Sequence, residues 1–207
     1  MAGQATHLES SAADTVRDAI LDAADTRFQQ YGYRKTTMAE IAQDVRMSAA
    51  NLYRYFGNKQ DIAAACCDRW MVLRLDGLRT VLKAPISAAE KLHRFVFTGL
   101  MITRQMSSEQ PKVYEVVEMV MHERPSFVHK KIDAMESLIA EILADGNRTG
   151  EFEVDDVVAT ARFVHASILL YEVPLFAQLF SDDEFEESAA GVVALILNGL
   201  RRRPIQK

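Results

Sequence analysis

Residues 36–59 read TTMAEIAQDVRMSAANLYRYFGNK. Met38, Ile41, Ala42 and Val45 are spaced i, i+3, i+4, i+7, which makes one apolar helical face. Thr37 precedes that face and suits an N-cap whose hydroxyl takes a free backbone N–H. Glu40, three residues on, completes a capping-box pattern. Arg46 and Met47 form a turn, and Ser48 then caps a second short helix. Leu52, Tyr55 and Phe56 point inward from it, which leaves Ala49, Ala50, Asn51, Tyr53 and Arg54 facing out. Two short helices joined by a tight turn, the second carrying groove-compatible side chains, are the layout of a helix-turn-helix.

The chemistry of the outward residues suits a DNA groove. Ala49 and Ala50 are small enough to let the helix approach base edges. Asn51 can bond adenine bidentately, and Arg54 can reach guanine or a phosphate. Tyr53 and Tyr55 offer hydroxyls to phosphates, contacts that position a protein without reading sequence. Lys59 opens the next helix, where cationic charge and free N–H groups both attract phosphate. Between residues 27 and 59, six Lys/Arg (27, 34, 35, 46, 54, 59) stand against two acids (40, 44), a local excess of four positive charges in a chain of net charge −5. A basic patch on an acidic protein is the electrostatic footprint of nucleic-acid binding. The same spacing also fits a plain pair of amphipathic helices with solvated Tyr and Arg, because such patterns are permissive.

Residues from about 15 to 65 resemble the N-terminal domain of the TetR (tetracycline repressor) family of bacterial regulators. The residues carrying the resemblance are Ile20, Ala23, Ala24, Phe28, Gly32 and Tyr33, then Thr36, Thr37, Ile41 and Ala42. Ser48, Asn51, Leu52, Tyr53, Tyr55, Phe56, Lys59 and Ile62 follow. The run Leu-Tyr-x-Tyr-Phe-x-x-Lys with a preceding Thr-Thr and Phe-x-x-x-Gly is specific. The resemblance implies an all-helical homodimer that binds a palindromic operator as a ligand-released repressor. Carried over by position, it puts Ala49, Ala50, Asn51, Tyr53 and Arg54 against bases and Thr36, Thr37, Tyr55 and Lys59 against phosphates; Ser48 completes the expected DNA-facing set. Beyond residue 65 the resemblance covers length and helical pattern only and identifies no ligand. One position departs from the family. The turn residue usually held by Gly is Arg46, and a left-handed conformation there costs on the order of 1 kcal/mol relative to Gly. Either the turn differs slightly from the family's or a phosphate contact from Arg46 offsets that strain.

The 207 residues, 49% of them hydrophobic, allow one or two domains with a sizeable core. Residues 1–13, MAGQATHLESSAA, lack the basic start and apolar run of a signal peptide and read as a disordered tail. No uninterrupted apolar run of about 18 residues exists, so no membrane span is expected. Cys66 and Cys67 are the only cysteines. Being adjacent on a helix, their side chains diverge by about 100°, which speaks against a disulfide scaffold and for a cytoplasmic setting.

The expected fold is all-α. A three-helix helix-turn-helix domain (14–59) precedes a helical ligand-binding and dimerisation domain (60–207), about nine helices in total. Helix one covers about 14–31 and Gly32 ends it. A long fourth helix, about 58–83, turns Ile62, Cys66, Trp70, Leu73 and Gly77 inward and acts as a lever between the domains. Further helices are expected at 87–107, from Pro111 to before Pro125, and at 126–145. Gly146, Asn147 and Gly150 mark a loop, and a final pair covers 155–180 and 183–202. The segment 60–207 carries a net charge of −5 and is not expected to bind DNA itself. Its last pair supplies Phe163, Ile168, Leu169, Tyr171, Leu175, Phe176 and Leu179, with Val192, Val193, Leu195, Ile196 and Leu200. These make either internal core or a four-helix dimer interface. The basic run Arg201, Arg202, Arg203 complements the last helix dipole.

For an effector cavity the aromatic and methionine candidates are Trp70, Phe95, Phe97, Met101, Tyr114, Met121 and Phe127, with Leu73, Met106, Val117 and Met135 as further lining. Such side chains form an adaptable apolar pocket, so a small hydrophobic effector is expected. Arg104, His93, His122 and His165 are the polar anchors on offer. Glu118 and His122 share a helical face, but no companion ligands complete a metal site, and no cofactor is expected. Two other classes fit less well: a DNA-binding regulator controlled by a protein partner or by abundance, and an all-helical small-molecule enzyme. The enzyme reading lacks a Gly-rich phosphate loop, a nucleophile elbow and a paired-Cys metal pattern.

Overall fold

The computed structural model describes residues 2–109 and 111–201. Its helices are α1 (Ala2–Tyr31), α2 (Met38–Asp44), α3 (Ala49–Leu52), α4 (Lys59–Lys83) and α5 (Ala88–Glu109). They continue with α6 (Pro111–Glu123), α7 (Pro125–Thr149), α8 (Val157–Ile168), α9 (Pro174–Ala177) and α10 (Asp182–Leu200); a 3-10 turn, Leu169–Glu172, joins α8 to α9. The fold is all-α as expected. Among the described residues the one strand-like pairing outside helices is an isolated bridge, Phe152 to Arg201. No helix of the described residues is long and apolar enough to cross a membrane.

The chain forms two compact units. The first gathers the residues up to Trp70 together with α6; the second takes Met71–Glu109 and the chain from Ser126 onward. This grouping differs from a division at residue 59, because α6 packs on α1 rather than staying with its chain neighbours. Val113, Val116 and Val120, one helical face of α6, are buried. The Lys112 ammonium donates to the Gln30 carbonyl and Arg124 pairs with Asp61, which ties both ends of α6 into the first unit. In this unit Ile20, Ala24 and Phe28 of α1, Ile41 and Ala42 of α2, Leu52, Phe56 and Ile62 form the buried interior. Cys66 and Cys67 are buried beside them, and burial pushes the Cys66 thiol up to about 12.

The second unit encloses a larger apolar core. Leu75, Leu78 and Leu82 of α4 meet Leu92, Phe95, Val96 and Leu100 of α5, Met135, Leu138, Ile139, Ile142 and Leu143 of α7, and Phe185, Ala189 and Val193 of α10. The start of α5 is held from afar, since the Glu151 carboxylate accepts from the Ala88 and Ala89 N–H groups at 3.1 and 3.2 Å. Such a carboxylate satisfies free amides where the helix dipole favours negative charge.

Several expectations are corrected. Residues 1–13, read as a tail, coincide with the start of α1, which begins at Ala2; Gln4, Ala5, Leu8, Glu9, Ala12 and Ala13 are strong helix formers with no proline among them. Met1, Arg202 and Arg203 lie outside the described residues, as does the Leu175 side chain. Leu73 is 70% exposed rather than inward. The expected helix over 155–180 is broken, because Pro174 has no N–H to continue it and the chain turns into a 3-10 segment first. Gly146 is not a loop residue. It lies within α7, buried under the Phe152 ring, and a Cβ there would stand 2.0 Å from that ring. Replacing it forces the ring or the helix aside. Gly146→Ala is expected to cost about 2 kcal/mol through overpacking, read as a Tm lower by roughly 4–8 °C in thermal unfolding.

Arg46 is the only non-glycine residue with positive φ among those described, at 55°. The Met47 N–H donates to the Ala42 carbonyl at 2.9 Å and the Arg46 N–H to the Gln43 carbonyl at 3.0 Å. These two bonds form a Schellman ending of α2 with its left-handed position at Arg46. Arg46→Gly is therefore expected to stabilise the chain by about 1 kcal/mol, seen as a higher urea midpoint at unchanged slope. An unchanged or lower midpoint would mean that the arginine side chain offsets its own backbone strain.

Candidate nucleic-acid interface

The turn at Arg46 and the cap at Ser48 together set the direction of α3. The Ser48 hydroxyl accepts from the Asn51 N–H at 3.2 Å. One turn earlier the Thr37–Glu40 capping box closes around the start of α2: Glu40 takes the Thr37 N–H at 2.8 Å, and the Thr37 hydroxyl accepts the Glu40 N–H at 3.3 Å. The Thr37 hydroxyl and N–H on that carboxylate hold the Glu40 carboxyl below the usual range. Leu52 and Phe56 anchor α3, at 0% and 3% exposure. Ser48, Ala50, Tyr53 and Arg54 are exposed, with Ala49, Asn51 and Tyr55 half-buried beside them. The arrangement presents two small residues, an amide, a guanidinium and a phenol on one face, which is hydrogen-bonding equipment for base edges and phosphates.

The basic surface is smaller than the sequence suggested. Arg27 is committed to Asp44, with Nη2 3.0 Å from Oδ1, and to Glu40 at 3.5 Å. It therefore uses up both local acids, and the exposed cations that remain are Arg34, Lys35, Arg46 and Arg54. A residue missed in the sequence is Arg17. Its guanidinium donates to the Tyr55 carbonyl at 2.7 Å and lies over the Phe56 ring, 4.2 Å from the centroid, clamping the exit of α3 onto α1. A separation of 38 residues gives no local pattern from which to read that contact.

The expected effector residues are divided between the two units. Trp70, Tyr114 and Met121 belong to the first unit; Phe95, Phe97, Met101, Arg104 and Phe127 belong to the second. Phe95 is core, 1% exposed. Arg104 is spent on Asp182 and Glu186. Phe97, Met101 and Arg104 line an open groove of about 1020 Å³ beside α9, where the Phe97 ring stacks on His93 at 4.5 Å.

Two residues assigned to phosphates are turned inward. Thr36 is fully buried, and its hydroxyl donates to the Gly32 carbonyl at 2.9 Å, satisfying the left-handed end of α1. The Lys59 ammonium donates to the carbonyls of Tyr33 and Thr36, at 2.8 and 2.7 Å, and sits 4.2 Å from the Tyr33 ring centroid. Burial lowers its pKa below the ordinary lysine range. Lys59 thus joins the α1–α2 connection to the start of α4 instead of reaching outward. Lys59→Met strands the Thr36 carbonyl and leaves the Tyr33 carbonyl only the Thr36 N–H at 3.3 Å, and is expected to cost about 2 kcal/mol of stability. Denaturant unfolding would register the loss, and a variant as stable as the parent would refute this role.

The geometry agrees with what comparison reveals. A family model for the bacterial regulatory proteins of the tetR family matches residues 20–66. A model for the tetracyclin repressor-like C-terminal domain matches residues 88–193. The HTH-type transcriptional repressor ComR of Escherichia coli (strain K12) is 38% identical over 55 residues, 27% of this chain and 26% of that protein. Such matches span 20–30% of the length of the curated relatives. A transcriptional regulator from Cytophaga hutchinsonii ATCC 33406 superposes with a TM-score of 0.68 at 24% identity, covering 89% of this chain and 98% of that one. Thermus thermophilus FadR, a TetR-family transcriptional repressor solved with lauroyl-CoA, superposes with a TM-score of 0.66 at 19% identity, covering 92% and 98%. At these identities the superpositions speak for the fold alone. The helix-turn-helix match falls on the capped, outward-facing α3, and the second match spans half of the sequence: the chain belongs to the TetR family of bacterial regulatory proteins.

Proposed function

We propose that this protein is a homodimeric repressor that reads a palindromic operator with α3 and is released from it by a small ligand. The observation that carries the reading is the exposed face of Ser48, Ala50, Tyr53 and Arg54 around Asn51, built on a buried Leu52–Phe56 anchor. Asn51 and Arg54 read bases; Thr37, Tyr53, Tyr55 and the exposed cations Arg34, Lys35 and Arg46 hold phosphates. Family membership supports the DNA-binding role.

Dimerisation is supported by unpartnered apolar side chains on α8 and α10. Phe163 is 70% exposed and Leu195 73%, with Val158 at 60%. Leu169 and Leu179 are exposed as well, whereas Ile168, Tyr171, Val193 and Leu200, once candidates for the interface, are buried in the core of their own chain. A two-fold dimer matches half-sites one or more helical turns apart. Helix α4 supplies residues to both units, so a ligand that favours one setting of the second unit biases the reading helices through it. The size of the response equals the ligand's differential affinity for the two states.

Selection of bound duplexes from a random DNA pool at near-physiological salt tests the proposal. A palindrome is the expected product; failure to enrich any sequence overturns the reading. On the selected duplex, Asn51→Ala is expected to relax preference at one base position per half-site and to weaken binding by about 1–3 kcal/mol. Tyr53→Phe should weaken specific and random DNA alike. If both variants behave identically on the two DNAs, the roles assigned to these side chains are wrong.

A further inference from the structure

The apolar core of the second unit holds a group of charges that the DNA-binding reading does not use. Arg74 of α4, Lys131 of α7, His165 of α8 and Glu172 of the 3-10 turn converge there. Glu172 is 6% exposed and His165 4%. The Lys131 ammonium lies 3.3 Å from Glu172 Oε2, and His165 Nε2 lies 3.4 Å from Oε1. Neither approach has hydrogen-bond geometry: among the described residues both Glu172 oxygens, His165 Nε2 and Arg74 Nε are buried without a hydrogen-bond partner. Arg74 spends its other nitrogens on the Thr103 hydroxyl at 3.2 Å and the Gly99 carbonyl at 3.3 Å. Another carboxylate, Glu136, faces His165 Nδ1 at 3.8 Å and the Arg162 guanidinium at 3.5 Å. Arg74 and Lys131, both half-buried, are therefore opposed by one buried, loosely held carboxylate. A well-made buried pair closes to about 2.7–2.9 Å with its remaining polar atoms satisfied, and without that closure desolvation outweighs attraction.

Burial alone raises the Glu172 carboxyl, but His165, Lys131 and Arg74 outweigh it and hold the group below the usual glutamate range, so it is the ionised form that sits there. The segment carrying it is short, although its neighbour Tyr171 is buried and bonded to the Ser188 hydroxyl at 2.8 Å. Glu172 ends a four-residue 3-10 turn just ahead of Pro174, and 3-10 geometry makes poorer hydrogen bonds than an α-helix. Beside the carboxylate is a small cavity of about 10 Å³, lined by Gly99, Leu100, Met135, Ile168 and Tyr171. Withdrawal of Glu172 would add a carboxylate-sized space to it, and Met135 can repack around an entering group.

We propose that Glu172 is an internal counterion occupying an anion site, and that the effector is a small organic carboxylate that displaces it from Arg74, Lys131 and His165. The inference rests on the effector-released reading above and names the chemistry of that effector. A carboxylate is the class because it is the group this site already accommodates. Displacement moves the turn after α8 and the α9 that follows it, which couples occupancy to the shape of the unit.

The test uses the full chain and thermal unfolding. Glu172→Ala and Glu172→Gln are each titrated with acetate and benzoate, against acetamide and benzamide at chloride-matched ionic strength. Acetate is expected to raise the Tm of Glu172→Ala saturably by several degrees, as ligation of the native state requires, while acetamide does not. Glu172→Gln, which keeps the side-chain shape, is expected to bind benzoate at least tenfold more tightly than the parent. That comparison carries the test if the alanine variant does not fold. Adding Lys131→Met should abolish both responses. Equal effects of acids and amides, no carboxylate response in either Glu172 variant, or a response surviving Lys131→Met would overturn the anion site. Carboxylate binding to the parent chain without loss of operator affinity would instead defeat the effector reading and leave the anion site standing.

Discussion

A single helical turn does not hold itself together in water, because nucleation fixes several backbone dihedrals for each hydrogen bond gained. Helix α3 is four residues long, so its outward face exists only through what constrains it from outside. Leu52 and Phe56 are drawn into the interior formed by α1 and α2. Ser48 and the Schellman ending at Arg46 fix the angle at which the helix departs, and Arg17 holds the carbonyl of Tyr55 at its exit. Lys59, by joining the carbonyls of Tyr33 and Thr36, sets where α4 begins relative to that assembly. The outward side chains of α3 thus stand on the buried anchors Leu52 and Phe56, while Ser48, Arg46 and Arg17 hold the helix from the exposed side.

The two units differ in how they treat charge. In the first, charged side chains work at the edges of the interior: Arg27 bridges α1 to α2 through Asp44 and Glu40, and Arg69 reaches Asp22. In the second, Lys91 meets Asp145 in a half-buried pair at 2.6 Å, whereas Lys131 meets the buried Glu172 less closely, at 3.3 Å, and Arg74 Nε and both Glu172 oxygens have no hydrogen bond. An apolar core of this size could be filled with leucine and phenylalanine alone. Holding ionised groups there at such distances leaves their desolvation poorly offset.

Much of the outward face around α3 was legible in sequence because it is built from local rules. The Thr37–Glu40 box, the Ser48 cap, the inward Leu52 and Phe56 and the left-handed turn at Arg46 all depend on spacings of a few residues. Where local rules failed, a long-range partner had won. Thr36 looked like a phosphate ligand until its hydroxyl found the Gly32 carbonyl, and Lys59 until its ammonium found two carbonyls more than twenty residues away. Gly146 looked like a loop because sequence does not reveal Phe152 folding back over it. Leu73 looked inward because periodicity gives a face but not its boundary, and Pro174 was read as tolerable within a helix that it interrupts. The effector candidates were chosen by side-chain type, which says nothing about which unit each would join.

Helix α6 has an odd position in this scheme. Its chain neighbours α5 and α7 belong to the second unit, yet its valine face is buried against α1 and its two ends are tied to Gln30 and Asp61. The chain therefore enters the first unit, leaves it, returns for one helix and leaves again. A recombination event that moved only residues up to 70 into a relative would leave that returning helix behind and bare the flank of α1. Interleaving of this kind makes the DNA-reading unit hard to exchange as a cassette. Change is more readily accommodated at Ala50, Tyr53 and Arg54, outward residues at and just after α3 that belong neither to its cap nor to its buried anchor.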